Sequence, residues 1–83
     1  MKFLRMRPGY GEQLIAEGDV ELAGDEERLV AAFREQLAQG MWAAVPVTGE
    51  SGRREAEMVR SFEEIPRTTD RVIFFPRAAG GAR

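Results

Sequence analysis

The chain has 83 residues, of which 31% are charged and 43% hydrophobic, and its formal net charge at pH 7 is −2. A chain of this length forms one small domain, and this composition is typical of folded proteins rather than disordered ones. It contains neither cysteine nor histidine, which excludes disulfide bonds, thiolate nucleophiles and zinc sites of the usual kind.

The first 22 residues show the alternation of apolar and polar residues that is typical of β-strands. Residues 1–7 alternate in this way, and the turn sequence at 8–11 contains one proline and two glycines. A second extended segment is predicted from 13 to 22, with a bend or bulge at Gly18 and Asp19. Together the two segments predict a β-hairpin.

An amphipathic helix is predicted from Asp25 to Gln39. Asp25 is a suitable N-cap residue, and the acidic side chains that follow it favour the positive end of the helix dipole. Gly40 supplies the left-handed residue that ends many helices. The apolar stripe at spacings of three and four residues consists of Leu29, Val30, Phe33 and Leu37.

Residues 41–62 predict a second hairpin. The first strand, 41–47, is apolar throughout, and residues 48–52 have the composition of a turn. Alternation resumes at residue 54, and we expect the second strand to end near Val59. We expect a single 3₁₀ turn over 62–66, with Ile65 tucked under the sheet.

The last predicted strand is Val72–Phe75, whose unbroken apolar character favours a central position in the sheet. Large aromatic residues are usually buried, so Trp42 and the pair Phe74 and Phe75 are expected in the core. Pro76 ends the strand, and small residues lead to Gly80 and Gly81. We therefore divide the chain into a domain at 1–77 and a flexible tail at 78–83.

No pattern indicates catalysis. General acid–base chemistry most often uses histidine, which is absent. The neighbouring carboxylates Glu63 and Glu64 would diverge on a strand or a 3₁₀ turn, so they do not form an acid–base pair. We expect a protein that is not an enzyme and that carries no cofactor and no metal.

Protein partners are expected rather than nucleic acid or membrane. The net charge gives no general attraction to either polyanion, and no apolar run approaches the ~20 residues of a membrane span. The first residues lack the apolar core of a signal peptide. These features predict a cytoplasmic protein that is monomeric in isolation.

The order strand, strand, helix, strand, strand, short turn, strand, tail resembles that of the ubiquitin-like β-grasp family. The run from Asp70 to Pro76, followed by Gly80 and Gly81, resembles the tail of the sulfur-carrier branch, which includes the small subunit of molybdopterin synthase. The resemblance implies an α+β fold in which a four- to five-stranded mixed sheet packs on one helix. The hairpin before the last strand favours the ubiquitin-like modifier branch, found in bacteria beside activating and conjugating enzymes.

The resemblance implies a function at the C-terminal end. Removal of Ala82 and Arg83 by a processing protease would expose Gly81, which an adenylating enzyme would activate and a conjugating enzyme would transfer to a target. Gly80 and Gly81 have no Cβ, so the backbone fits a narrow crevice. Arg71 and Arg77, taken to lie near the exit of the last strand, would steer the protein to an acidic activating-enzyme surface.

Two other functions fit the same sequence. One is a β-grasp interaction module that is never conjugated and binds a partner through its sheet face or an edge strand. The other is a sulfur carrier with a thiocarboxylate at Gly81. The first predicts binding that is independent of Gly80 and Gly81, and the second predicts sulfur in place of oxygen at the C-terminus.

Overall fold

The computed structural model of the protein describes residues 1–49, 52 and 54–77. The predicted order of elements is confirmed, including the single 3₁₀ turn before the last strand. The predicted tail at 78–83 lies outside the described residues, so the division after residue 77 stays a prediction. The elements are β1 (Lys2–Arg7), β2 (Gly11–Glu17), α1 (Ala23–Ala38), β3 (Met41–Thr48), β4 (Arg54–Val59), the 3₁₀ turn (Phe62–Glu64) and β5 (Arg71–Pro76).

The five strands form one mixed sheet in the order β2-β1-β5-β3-β4. β1 and β5 are parallel, whereas the other neighbouring strands are antiparallel. The predicted α+β class, with a mixed sheet packed on one helix, is confirmed, and the arrangement is consistent with a β-grasp fold. β5 lies in the centre, as its apolar sequence predicts.

The core lies between α1 and the face of the sheet that the helix covers. Three phenylalanines from β1, α1 and β5 form its centre, and each is at most 1% exposed. The ring centroid of Phe74 lies 5.2 Å from that of Phe3 and 5.6 Å from that of Phe33, both in edge-to-face geometry. Ile65 closes the core from the turn after the 3₁₀ segment and is 5% exposed, as predicted.

The start of α1 differs from the prediction. The helix begins at Ala23, and its N-cap residue is Leu22, which makes no side-chain capping bond. The prediction of Asp25 as the N-cap is therefore wrong. Its carboxylate instead accepts a hydrogen bond from the backbone N–H of Asp19 at 2.9 Å and one from Arg28 at 2.8 Å, so it fastens the preceding loop to the first turn of the helix.

β2 also differs from the predicted segment 13–22. Phe3 pairs with Ala16 whereas Leu4 pairs with Leu14, so Ile15 is the extra residue of a β-bulge. Of the bend or bulge predicted at Gly18 and Asp19, the bulge is wrong, because it lies inside β2. The strand ends at Glu17, and the chain then turns, with the Leu22 N–H donating to the Asp19 carbonyl at 2.9 Å. Because the extra residue reverses the alternation, Ala16 lies on the covered face and Leu14 on the opposite one.

The end of α1 confirms the role predicted for Gly40. Its φ of 87° is in the left-handed region, where a side chain would be strained. The Gly40 N–H donates to the carbonyl of Leu37 at 3.0 Å. This turn sends the chain directly into β3.

Candidate partner-binding face

The face of the sheet opposite α1 carries an extensive set of apolar side chains. On β5, Val72 and Phe74 are 0% exposed under the helix, while Ile73 and Phe75 lie on the other face and are half-buried. We call this second surface the open face. Its apolar members are Leu4, Met6, Leu14, Trp42, Ala44, Met58, Ile73 and Phe75.

One apolar row on the open face crosses the whole sheet. The strand register places its members side by side, one from each strand, and residues directly opposite each other share a face. Its outer members are well exposed, Leu14 by 51% and Met58 by 44%. In the order of the strands the row is Leu14, Leu4, Ile73, Ala44 and Met58.

An aromatic pair lies beside this row. Trp42 on β3 is paired with Phe75 on β5, and both side chains are half-buried. The prediction that they belong to the core is wrong, whereas that for Phe74 is confirmed. Adjacent residues of a strand point to opposite faces, so only one member of each apolar pair can reach the helix.

Basic residues lie at both ends of β5 on this face. Arg71 begins the strand and pairs with Lys2, while Arg77 directly follows it. The expectation that both arginines lie near the exit of the strand is wrong for Arg71. The two arginines are six positions apart in the chain, which corresponds to about 20 Å of extended chain at ~3.3 Å per residue.

Arg77 lies against the aromatic pair. Its guanidinium carbon is 5.1 Å from the centroid of the Trp42 ring, within the range of a cation–π contact. Among the salt bridges found in residues 1–49, 52 and 54–77, none involves Arg71 or Arg77. Both charges are therefore available to a partner.

Acidic residues of the open face lie at one side. Glu17 and Glu12 are on the edge strand β2, where they pair with Lys2 and Met6. The centre of the open face is thus apolar with cations at either end, and the carboxylates that the described residues contribute to it lie at the β2 margin. This distribution was missed from sequence because no local pattern shows which strands become neighbours.

The residues predicted to be processed are not placed by the structure. Gly80, Gly81 and Ala82 lie outside the described residues. The structure does place Arg77, three residues before Gly80, on the open face next to Trp42. The tail thus starts from the central strand and from the surface that bears the apolar row.

The covered side contains a charge cluster of a different kind. Arg67 donates to the carboxylate of Glu26 at 3.0 Å and to the carbonyl of Val20 at 2.6 Å. The bond to Glu26 is the main reason that the pKa of Arg67 is raised. Because these contacts join the turn before β5 to the start of α1, we interpret the cluster as structural.

Two further findings concern metal ions and membranes. The part of the chain that the structure describes contains no group of three or more acidic side chains that could hold a metal ion. Within the same residues no helix combines the length and apolarity needed to cross a bilayer. The open face is the candidate site considered below.

Comparison with family models, with curated proteins and with solved structures found no match for this chain. The site is therefore interpreted from its own geometry.

Proposed function

We propose that the protein is a ubiquitin-like modifier that is cut after Gly81 and joined through that glycine to a target protein. The observation that carries this proposal is the central position of β5 in the sheet order β2-β1-β5-β3-β4, with the sequence Ala-Ala-Gly-Gly directly after Arg77. A strand held on both sides provides a fixed base for a C-terminal segment that must enter another protein. Such a segment needs narrow residues, which glycine provides.

In this function the protein contributes a carboxyl group and docking surfaces, and the chemistry belongs to its partners. An adenylating enzyme would use ATP to convert the Gly81 carboxylate to an acyl-adenylate with release of pyrophosphate. A thiol of a partner would then displace AMP, and an amine of the target would displace the thiol. Arg77 supplies positive charge beside this path, and Arg71 supplies it at the opposite end of β5. Both charges favour docking on an acidic surface.

Mass spectrometry of the protein from its native host tests the proposal. Trypsin cuts after Arg77, so conjugation would leave the remnant Ala-Ala-Gly-Gly on lysines of the target. Gly81→Val should abolish the remnant, whereas the matched variant Ala79→Ser should retain it with the mass of one added oxygen. Recovery of only the intact chain, ending in Ala82-Arg83, would contradict the proposal.

The same measurement detects a sulfur carrier. A chain that ends at Gly81 with sulfur in place of one carboxylate oxygen would identify a thiocarboxylate. That result, without any modified lysine, would replace conjugation by sulfur transfer as the function.

A second candidate function is a binding module that is never conjugated. The observation that favours it is the apolar row across the five strands, whose outer members Leu14 and Met58 are well exposed, because a partner could use this surface without the tail. In this case replacing both Gly80 and Gly81 by alanine would leave the recovery of partners unchanged. If the protein is conjugated, the same replacement should abolish the recovery of its targets. Affinity purification with the two chains in parallel separates the candidates.

A further inference from the structure

We propose that the open face binds an amphipathic α-helix of a partner protein, whose apolar stripe has carboxylates at both ends. This inference rests on the open face being a binding surface, as both candidate functions require, and it is independent of processing after Gly81.

The first argument is the concentration of exposed apolar side chains on one face. Five large hydrophobic side chains are exposed in the described residues. Three of them, Met6, Leu14 and Met58, belong to the open face. Between Leu14 and Met58 the strand register places Leu4, Ile73 and Ala44 side by side; Leu4 and Ile73 are half-buried and Ala44 is 6% exposed. Monomeric proteins rarely leave such a surface uncovered unless it binds something.

The second argument concerns which element fits a sheet face. β1, β5 and β3 each have a strand on both sides, so their backbone donors and acceptors are paired within the sheet. An extended peptide laid over them would leave its own backbone groups unpaired, which is costly. An α-helix satisfies these groups internally and presents only side chains. It would cover the open face much as α1 covers the other.

The third argument is charge. Lys2 and Arg71 lie at one end of the apolar surface, and Arg77 lies at the other. The ~20 Å between the arginines corresponds to about 13 residues of helix at 1.5 Å per residue. A helix of this length along β5 would bring a carboxylate near its start to one arginine and a carboxylate near its end to the other.

A second copy of the chain fits this surface less well. Its open face carries the same cations at the two ends of β5, so face-to-face association with β5 on β5 would bring arginines close to arginines. Like charges in an interface are unfavourable unless other groups compensate them. An acidic helix has the complementary charge instead.

Single-stranded nucleic acid is the other ligand that such a surface could bind. Trp42 and Phe75 would offer stacking positions, and the three cations would contact phosphates. The aliphatic row, the two carboxylates on β2 and the net charge of −2 favour the helix. The oligonucleotide is therefore one arm of the test.

The test uses the full chain and the fluorescence of Trp42, its single tryptophan. Three probes are titrated: a 15-residue helical peptide with a leucine stripe and glutamates at both ends, the same peptide with lysines in place of the glutamates, and a 12-nucleotide single-stranded DNA of mixed sequence. We expect the acidic peptide to change the emission and to bind at least tenfold more tightly than the basic peptide. Equal binding of the two peptides, preferential binding of the DNA, or no binding of any probe would overturn the inference.

Variants locate the site. Arg71→Glu and Arg77→Glu should each weaken binding of the acidic peptide severalfold, and the double variant should weaken it more than tenfold. The matched control Arg34→Glu changes an exposed arginine of α1 and should leave the affinity within twofold. An equal loss with the control would show that net charge, and not the open face, governs binding. Detection of Ala-Ala-Gly-Gly remnants in host proteins is a separate readout, so failure of either proposal leaves the other measurable.

Discussion

The two faces of β5 differ although their residues alternate along a single strand. Val72 and Phe74 are 0% exposed beneath α1, while Ile73 and Phe75, of similar size and polarity, remain half-buried on the open face. What differs is the cover, since one face has a helix over it and, among the residues that the structure describes, the other has none. We therefore expect the covered face to determine the stability of the domain, and we propose that the open face determines what the domain binds.

The largest expected effect is on the covered face. Phe74→Ala removes a ring that packs edge-to-face against Phe3 and Phe33. It should lower the free energy of unfolding by about 3–5 kcal/mol, a large part of the stability of so small a domain. Urea denaturation followed by circular dichroism measures the loss, and Phe74→Leu provides a milder variant if the alanine variant does not fold.

The neighbouring residue on the open face should behave in the opposite way. Phe75→Ala removes a half-buried ring, so we expect a loss of roughly 1 kcal/mol, about half of the transfer free energy of a fully buried aromatic side chain. Binding of the acidic helical peptide should nevertheless fall at least tenfold, because the ring lies beside Trp42. If Phe75→Ala destabilised the fold as much as Phe74→Ala, the functional division between the faces would be wrong.

Two neighbouring residues of β4 allow the same comparison between the covered face and the open face, with smaller expected effects. Val59 is 4% exposed in the core and Met58 is 44% exposed on the open face. Val59→Ala should cost about 2 kcal/mol, from two buried methyl groups at ~0.8 kcal/mol each and the cavity they leave. Met58→Ser should cost less than about 0.5 kcal/mol but reduce peptide affinity. Denaturation and fluorescence titration of both variants test this.

The features that sequence predicted are those with a local signature. The stripe of Leu29 and Phe33 has helical spacing, and Gly40 follows it, so α1 was placed within two residues of its observed bounds. The central position of β5 followed from its four consecutive apolar residues. A strand that is buried on both faces has few polar residues, so an unbroken apolar run indicates a central strand.

The features that sequence missed depend on long-range pairing. An unbroken apolar run does not reveal which alternate residues meet the helix, so Trp42 and Phe75 were wrongly assigned to the core. The bulge at Ile15 was missed because it is defined by the register against β1. Arg71 was expected near the exit of β5, but it begins the strand, at the opposite end from Arg77.

Of the candidate site, too, the sequence predicted one part and missed another. Arg77 was predicted beside the exit of β5, and its position against Trp42 is consistent with that expectation. The apolar row was not foreseen, since its five members come from five strands distant in sequence. The functional roles of Gly80 and Gly81 stay predictions because the tail lies outside the described residues.

The smallest expected effect concerns the loop that fixes α1 over the covered face. The bond from the Asp19 N–H, and then the bond from Arg28, hold the pKa of Asp25 below its usual value of 3.8. A carboxyl whose pKa is lowered in the folded state stabilises the fold above the unfolded pKa, and this contribution disappears as pH falls through the folded pKa. Asp25→Asn keeps an acceptor oxygen but removes the charge, so the variant should be slightly less stable at neutral pH.

The difference in the free energy of unfolding between the natural chain and Asp25→Asn should therefore change with pH in one direction only. It should be constant well above pH 3.8 and shrink as the pH falls below that value, because a protonated Asp25 and an asparagine are both neutral. Urea denaturation of both proteins at a series of pH values measures it. A difference that persisted undiminished once Asp25 is protonated would mean that the shape of the side chain, and not its charge, fastens the loop to α1. The peptide affinity of Asp25→Asn at neutral pH should equal that of the natural chain, since Asp25 lies on the side of the sheet away from the open face.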